Sequence, residues 1–517
     1  AAATFGTAFG STWQTSQHEQ ADLAVGTDLS VALTTAPVTG QSAEVGTATG
    51  GVISPVAKHN VVVGQWLGGP DSAPRMVAVD TRHASALLHG RLDGGRTWAG
   101  VTGPLAPPTP VTGVPLPLNS VPALTGTATG TLPIAVTPHL LLEDETGLRT
   151  ACAGDPTPLD GRRYAVPGCA KVPGLRLIGV TLTVLGETGI QHVSRIDATL
   201  TLPAAAPTAA AWTVRSAAPE QSQLSGEKVT VTGTRIQLTA AVSFAESSPS
   251  SRVLVATAFA DPGLVPVVVS SQFAAAVGAH PGSELTLAVD QTPVHAVVAG
   301  VVPNVPSAPG AAAVLADVDT LTRAVVVRGA VDSLVTDWWI GGPARADADA
   351  RLEGLHLGVV TSREAEAARL TGSPLRASFP AVLRVLVVAA VILLLGGVLL
   401  HITYDVRLRA VEVARLRGLG ASRRGIRTAL LGEHAVVVLP LLAAGAGVGA
   451  LATWIVAPLL IRSDTGAAAV PAAVAHWPWG AEAVLLGVLV GACGLVAAVA
   501  VLVQSRRADA AHLRVAS

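Results

Sequence analysis

The 517-residue chain has little charge, few aromatic side chains and almost no lysine. Charged residues make up 13% and aromatic residues 3%, whereas hydrophobic residues make up 50%. Lysine occurs only at Lys58, Lys171 and Lys228. With a formal net charge of −1, the chain lacks the basic surface that a nucleic-acid partner requires. Its apolar mass is mostly Ala, Val and Leu, which favours lipid-facing helices together with a β domain poor in aromatics.

Several sequence motifs of enzymes are missing. The dipeptide Gly-Lys does not occur, so the chain has no P-loop to hold the phosphates of ATP. There is no G-x-S-x-G turn for a nucleophilic serine and no His or Cys cluster with the spacing of a metal site. We therefore expect a non-catalytic chain without a metal or cofactor of its own.

Cysteine is scarce, with three residues in the whole chain. Cys152 and Cys169 lie close together in sequence, and Cys493 stands alone in an apolar run. The pair predicts a disulfide that closes a short loop, which requires an oxidising compartment. Two unpaired thiols are the alternative, because two cysteines do not define a disulfide framework.

Three apolar runs near the C-terminus are long enough to cross a membrane, which takes about 20 helical residues. Buried helices of a soluble protein are the alternative for any one run, but three in one tail favour a membrane domain. The predicted spans are 379–404, 435–461 and 481–504.

The arginines near these spans predict their orientation, because short loops rich in arginine stay in the cytoplasm. Only Arg462 lies between the second and third spans. The loop 405–434 and the C-terminus are therefore predicted to be cytoplasmic, and the chain before about 376 to be extracytoplasmic. The arginines beside the first and third spans are Arg407, Arg409, Arg415, Arg417, Arg423, Arg424, Arg427, Arg506, Arg507 and Arg514.

The region before the spans is rich in Thr, Val, Gly and Pro and has strand-like alternation. Short helical pieces flank it, so the predicted fold is a large extracytoplasmic α+β domain with an all-β, jelly-roll-like insert, joined to an α-helical membrane domain. The first 11 residues read as the tail of a membrane helix that begins before Ala1, with a signal-peptide remnant as the alternative. The predicted segments are 1–11 (helix tail), 12–104 (core, first part), 105–255 (insert), 256–375 (core, second part), 376–507 (membrane domain) and 508–517 (cytoplasmic tail).

Two pairs of glycines lie four residues apart in the second and third spans. They are Gly445 with Gly449 and Gly487 with Gly491. Small residues at this spacing let membrane helices approach closely, which predicts helix packing at both pairs. The abundance of Gly and Ala in the chain is an equally good explanation.

The arginine-rich stretch between the first two spans reads as two helical pieces separated by a turn. Gly420 is predicted to end the first piece in a left-handed conformation. Ser422 is predicted to cap the second piece, which continues into the next span. On topology alone, the arginines are explained by a simple cytoplasmic anchor.

The letters VEVARLRGLGASRRGIRTALLGE, residues 411–433, resemble the signature of FtsX-like, MacB-type ABC transporter permeases. Residues 75–88 and 265–306 resemble the extracytoplasmic core domain of that family. The chain is similar to the second cassette of larger actinobacterial relatives. The resemblance assigns ATPase coupling to Glu412, Arg415, Leu416, Arg417, Gly420, Ser422, Arg423, Arg424 and Glu433.

The resemblance implies a permease subunit in the plasma membrane that moves with a separate cytoplasmic ABC ATPase. ATP and Mg²⁺ would bind to that ATPase. The motion would serve export or extraction of a lipoprotein, lipid or peptide, or would activate a cell-wall hydrolase. Membrane lipid and a second cassette or copy are further expected partners. The alternative function is a membrane-anchored protein whose insert binds glycan or protein; a membrane enzyme is disfavoured by the missing motifs.

Overall fold

The computed structural model divides the chain into two compact units, each described here by itself. One unit contains Ala1–Gln20 and Ala367–Ser517, and the other contains Ala21–Glu366. The residues that the structure describes are 1–64, 73–130, 132–166, 169–186, 192–207, 211–244, 251–372, 374–408, 412, 415, 419–463 and 466–512.

The described residues form helices at both ends of the chain and strands in between. The helices are α1 Ala2–Val25, α2 Gln41–Thr49, α3 Ala84–Leu87, α4 Trp98–Thr102, α5 Ser271–Val277, α6 Val318–Val326, α7 Ala348–Gly354, α8 Arg363–Gly372, α9 Pro374–Leu408, α10 Arg423–Leu460 and α11 Trp479–His512.

The strands all lie between α1 and α8. They are β1 Leu29–Leu33, β2 Val52–Val63, β3 Arg75–Val79, β4 Val114–Pro115, β5 Ala123–Ala128, β6 Ile134–Glu143, β7 Arg149–Ala153, β8 Thr157–Pro158, β9 Asp160–Ala165, β10 Arg176–Gly186, β11 Val193–Thr201, β12 Thr213–Ser216, β13 Leu224–Thr232, β14 Arg235–Ser243, β15 Val253–Thr257, β16 Val265–Ser270, β17 Glu284–Val289, β18 Thr292–Val302, β19 Ala313–Asp317, β20 Asp337–Gly341 and β21 Gly358–Ser362.

The unit Ala21–Glu366 is called the outer unit after its predicted location, and the unit of Ala1–Gln20 with Ala367–Ser517 is called the membrane unit. A mixed nine-stranded sheet is the core of the outer unit, with strand order β17-β18-β16-β19-β3-β2-β20-β1-β21. It contains strands from both sides of the insert, because β3 pairs in parallel with β19. Trp338 and Trp339 on β20 are fully buried, and they point to opposite faces of the sheet because side chains alternate along a strand. Helix α6 begins where Asp317 accepts a hydrogen bond from the Thr320 amide, a normal N-cap. This sheet is hereafter called the core sheet.

The insert, β4 to β15, forms two antiparallel sheets around one apolar core. One sheet has the order β12-β15-β10-β6-β7, with β4 on β10 and β8 on β6; the other has the order β13-β14-β11-β5-β9. Along β14, Ile236, Leu238 and Ala240 are buried and the residues between them are half-exposed. This alternation places every second side chain in the core between the sheets. The described insert strands run from Val114 to Thr257, close to the predicted insert 105–255.

The C-terminal region contains three helices long and apolar enough to cross a membrane. The candidate spans are Pro380–Asp405, Arg424–Leu460 and Trp479–Leu502. The prediction of three apolar helices after a large β-rich region is confirmed. Helix α10 begins at Arg423, well before the predicted span start at 435, because the helix continues through the polar residues that precede the apolar run.

Helix α1 belongs to the same unit as these three helices as far as Gln20. Phe9 and Trp13 pack with Ala457, Ile461 and Ala469 in one apolar cluster. The Thr12 hydroxyl accepts a hydrogen bond from the amide of His476, at 3.0 Å. The helix therefore extends from the membrane unit to Val25 in the outer unit, beyond the predicted helix tail 1–11.

Candidate coupling site

The turn between α9 and α10 is formed by Gly420 and Ser422. Gly420 has a φ of 91°, a left-handed conformation that glycine adopts without the steric penalty of a side chain. The Ser422 hydroxyl accepts a hydrogen bond from the Gly425 amide at 3.1 Å. This N-cap satisfies one of the free amides at the start of α10, and it fixes the point where the helix begins.

The predicted coupling residues lie around this turn wherever the structure describes them. Glu412 and Arg415 are helical and exposed, and Arg424 and Glu433 are exposed on α10. Arg423 is the first residue of α10. Leu416 and Arg417 lie outside the described residues. The turn thus presents charges of both signs to its surroundings.

Close to the turn, the three long helices pack together through small and aliphatic side chains. Val398 and Ile402 of α9 share a buried cluster with Cys493, Ala497 and Val501 of α11, and Leu430 and Leu431 of α10 pack against it. This packing holds the helix that follows the turn against its two neighbours.

Two histidines lie edge to face in the same region of the bundle. The rings of His401 on α9 and His434 on α10 have centroids 5.9 Å apart, and His434 is buried. The sequence gives no signal that these two histidines meet, because they lie on different helices.

The two glycine pairs have different surroundings. A Cβ added at Gly445 would lie 3.2 Å from the Ala1 nitrogen, and one added at Gly449 would lie 2.7 Å from the Ala1 carbonyl oxygen. The start of α1 therefore passes close to the backbone of α10. Within the described part of the chain, no atom lies within 4 Å of a Cβ added at Gly487 or Gly491. Packing through the second pair stays a prediction.

Comparison with known families gives a match in this region. Residues 384–508 match the family model for the FtsX-like permease C-terminal region. The matched residues include most of α9 and α11, all of α10 and the capped turn between α9 and α10. Residues 384–508 therefore form an FtsX-like permease C-terminal domain.

A search of curated proteins gave no match to this FtsX-like permease. Permeases of the family work with a cytoplasmic ABC ATPase and are typically non-catalytic transport subunits. The matched residues lie in the C-terminal region, so the outer unit has to be interpreted from its own structure. Two of its features link separate segments of its fold.

The first feature is a disulfide within the insert. The permease has a bond between Cys152 on β7 and Cys169, with Cα atoms 6.0 Å apart. Cys169 is buried in the insert core, and Cys152 packs against that core. The bond ties the end of β7 to the segment after β9.

The second feature is a buried group of charges where the insert meets the core sheet. Arg149 on β7 donates to Glu143 on β6 at 2.9 Å and to Asp319 on α6. Asp319 also accepts two hydrogen bonds from Arg323, each at 2.8 Å. The guanidinium groups of Arg149 and Arg323 lie over the ring of Phe259, at 5.5 and 5.6 Å from its centroid. These residues are hereafter called the junction network.

The pKa values of the junction network show strong mutual stabilisation. Burial by itself lowers the pKa of Arg149, but attraction to Glu143 and Asp319 and the hydrogen bonds that Arg149 donates to both outweigh burial, so that the pKa is raised. Burial likewise favours a higher pKa for Asp319, but the charge of Arg149 and the hydrogen bonds from Arg323 hold it below its usual value. The ion pairs therefore stay charged despite their burial.

Next to the junction network, the tip of the β6–β7 hairpin packs into the core. Leu148 is buried in an apolar cluster with Leu29, Val31 and Trp338. Asp144 accepts hydrogen bonds from Ser42 of α2 and, at 3.0 Å, from the amide of Leu148. With its carboxylate satisfied in this way, Asp144 is a structural turn residue. No cluster of His, Cys, Asp or Glu able to hold a metal occurs among the described residues.

Proposed function

We propose that this chain is the permease subunit of an ABC transporter, in which ATP hydrolysis by a separate cytoplasmic ATPase changes the conformation of the outer domain. The family match over residues 384–508 carries the proposal. The capped turn, with exposed Glu412 and Arg415 beside it, supplies a compact charged surface for the ATPase. ATP and Mg²⁺ would bind on that partner.

The geometry of α10 supports this role. The helix is continuous from Arg423, next to the turn, to Leu460 at the opposite end of the span. The helix rises about 1.5 Å per residue, and it stays helical through Pro440 and Pro458. Displacement of the turn would therefore reach the far end of the span.

We further propose that the turn faces the cytoplasm and the outer unit lies outside it. The arginine bias around the spans supports this orientation, and the disulfide is of the kind that persists in oxidising compartments. Single cysteines replacing Arg424 and Arg162, both exposed, should react with a membrane-impermeant thiol reagent from opposite faces. Reaction of both from one face would contradict the proposal.

The insert is proposed to be jelly-roll-like. Support comes from the way its chain crosses between sheets: β9 and β11 lie in the five-stranded sheet, whereas β10 and β12 lie in the other. Repeated crossing between two antiparallel sheets is typical of Greek-key sandwiches. An experimental structure with β10 and β11 in one sheet would contradict this assignment.

The cargo is proposed to be a lipoprotein, lipid or peptide, with transmission of force to a cell-wall hydrolase as the other form of output. The proposed coupling surface consists of Glu412, Arg415, Leu416, Arg417, Gly420, Ser422, Arg423, Arg424 and Glu433. Membrane lipid and a second copy or cassette would complete the assembly.

Charge reversal tests the coupling surface. The double substitution Arg415→Glu and Arg417→Glu should abolish co-purification of the ABC ATPase, because complementary charges bring such surfaces together. Arg462→Glu is the matched control, since this arginine lies at the other end of α10 and should leave co-purification unchanged. Equal recovery of the ATPase with all variants would count against the proposal.

A further inference from the structure

The chain passes between its two units at two places, and both crossings are helical. Helix α1 runs from Ala2 to Val25 across the unit boundary after Gln20. Helix α8 runs from Arg363 to Gly372 across the boundary after Glu366. Any force exchanged along the chain between the units therefore passes through these two helices.

Within the outer unit, the two crossing helices join neighbouring strands of the core sheet. Strand β1 follows α1, and β21 precedes α8. The two strands are antiparallel partners, with Leu29 opposite Ser362. The end of α1 and the start of α8 consequently lie at the same end of one strand pair.

Arg363 lies at this end of the strand pair and forms ion pairs with Asp22 in α1 and with Asp28 just before β1. Its Nη1 lies 3.3 Å from Asp22 Oδ1 in the last turns of α1, and its Nη2 lies 2.9 Å from Asp28 Oδ1. Its backbone amide donates to the Asp28 carbonyl at 2.9 Å. Asp28 is itself held, because Oδ2 accepts from the Gly342 amide at 2.7 Å. Asp22, Asp28 and Arg363 are hereafter called the crossing cluster.

The positions of these charges are unusual for isolated helices. An acidic side chain near the C-terminal end of α1 and a basic one at the N-terminal end of α8 are each unfavourable for the dipole of their own helix. Pairing Asp22 with Arg363 cancels both effects at once. The charges are therefore explained by the contact between the two helices and by neither helix alone.

We propose that Arg363 is a positioning residue that makes α1 and α8 move together, so that displacement of the spans reaches the core sheet through the β1–β21 pair. This inference rests on the proposed function, because it concerns the route by which ATP-driven motion arrives in the outer unit. The fork of a guanidinium suits the role, since it bonds two carboxylates at once in a fixed geometry.

The test uses the full chain in complex with the ABC ATPase that co-purifies with it. Hydrogen exchange is measured with ATP and with ADP, and the difference between the two states is compared for peptides from α9–α11 and from β1, β20 and β21. Wild type should show a nucleotide-dependent difference in both regions. Arg363→Gln should keep the difference in the spans and reduce that in the strands by about threefold or more.

Two further variants make the result specific. Arg363→Lys keeps the positive charge but lacks the forked guanidinium, so it should reduce the nucleotide-dependent difference in the strands to an intermediate extent. This variant also provides a test if Arg363→Gln fails to fold. Arg351→Gln removes an exposed ion pair with Asp347 in the same unit and should leave the difference unchanged. A purely structural role would raise exchange equally in both nucleotide states and leave the difference intact.

The outcomes separate the two proposals. Undiminished nucleotide-dependent exchange in β1 and β21 of both Arg363 variants would overturn the role of Arg363 and leave the permease function standing. No nucleotide-dependent exchange in either region of the wild-type complex would overturn the proposed function itself.

Discussion

The two units of the chain place similar apolar residues in opposite surroundings. In the outer unit, large apolar side chains such as Trp338 and Leu140 are buried, and charges such as Arg149 are buried with partners. In the membrane unit, large apolar side chains such as Leu393 are 75% exposed. Burial against protein stabilises the first unit, whereas lipid replaces that burial in the second. The same substitution should therefore have very different effects in the two units.

The largest effect is expected at the junction network. Arg149→Ala removes the cation that Glu143 and Asp319 share. Arg176 still pairs with Glu143, and Arg323 still pairs with Asp319. Breaking a buried ion pair costs about 3–5 kcal/mol. Urea unfolding of the full chain in detergent, followed by tryptophan fluorescence, should show an earlier transition of the outer unit. Arg162→Ala, on an exposed arginine of the same insert, should change stability by no more than about 0.5 kcal/mol. Equal effects of the two variants would refute the importance of burial here.

A matched pair of leucines makes the comparison direct. Leu140→Ala in the insert core should cost about 2–5 kcal/mol, because it removes buried methyl groups and leaves a cavity. Leu393→Ala on α9 removes the same atoms from an exposed position and should leave the outer transition unchanged. Both variants are measured in the same urea titration. A similar shift for both would mean that Leu393 is buried by protein in the assembled permease.

The smallest effect on the stability of the outer unit is expected from lowering the pH. Since the pKa of Asp319 is lowered in the folded chain, its contribution to stability is fully present above its unfolded pKa of about 4 and is lost as the pH falls below it. Asp319→Asn should therefore make the outer unit less stable at neutral pH and reduce its further loss of stability on acidification. Asp347→Asn, at an exposed ion pair, is the control. An unchanged pH profile for Asp319→Asn would contradict the assigned shift.

The sequence was most informative where the signal is local. Hydropathy was sufficient to predict the three spans. Gly420 and Ser422 were sufficient to predict the turn, because a left-handed glycine and a serine cap depend only on residues next to them in sequence. Alternation along stretches such as β14 was sufficient to predict a large β-rich region before the spans. The predicted Ser422 cap also marks the start of α10, which begins at Arg423, although the apolar run of the second span begins later.

Contacts between distant segments could not be predicted in the same way. Arg149 meets Asp319, 170 residues away, and Arg363 meets Asp22, 341 residues away. Nothing in the neighbouring residues distinguishes these arginines from exposed ones. The one available signal was the unfavourable position of Asp22 and Arg363 at the ends of their helices, which becomes informative once both helix ends are known.

The ends of the insert leave it side by side. The first strand, β4, pairs with β10 at Leu177, and the last, β15, pairs with the same strand at Gly179. A module whose two ends are adjacent can be exchanged for another without stretching the chain that receives it. A different insert could therefore replace this one while the core sheet and the three spans keep their structure.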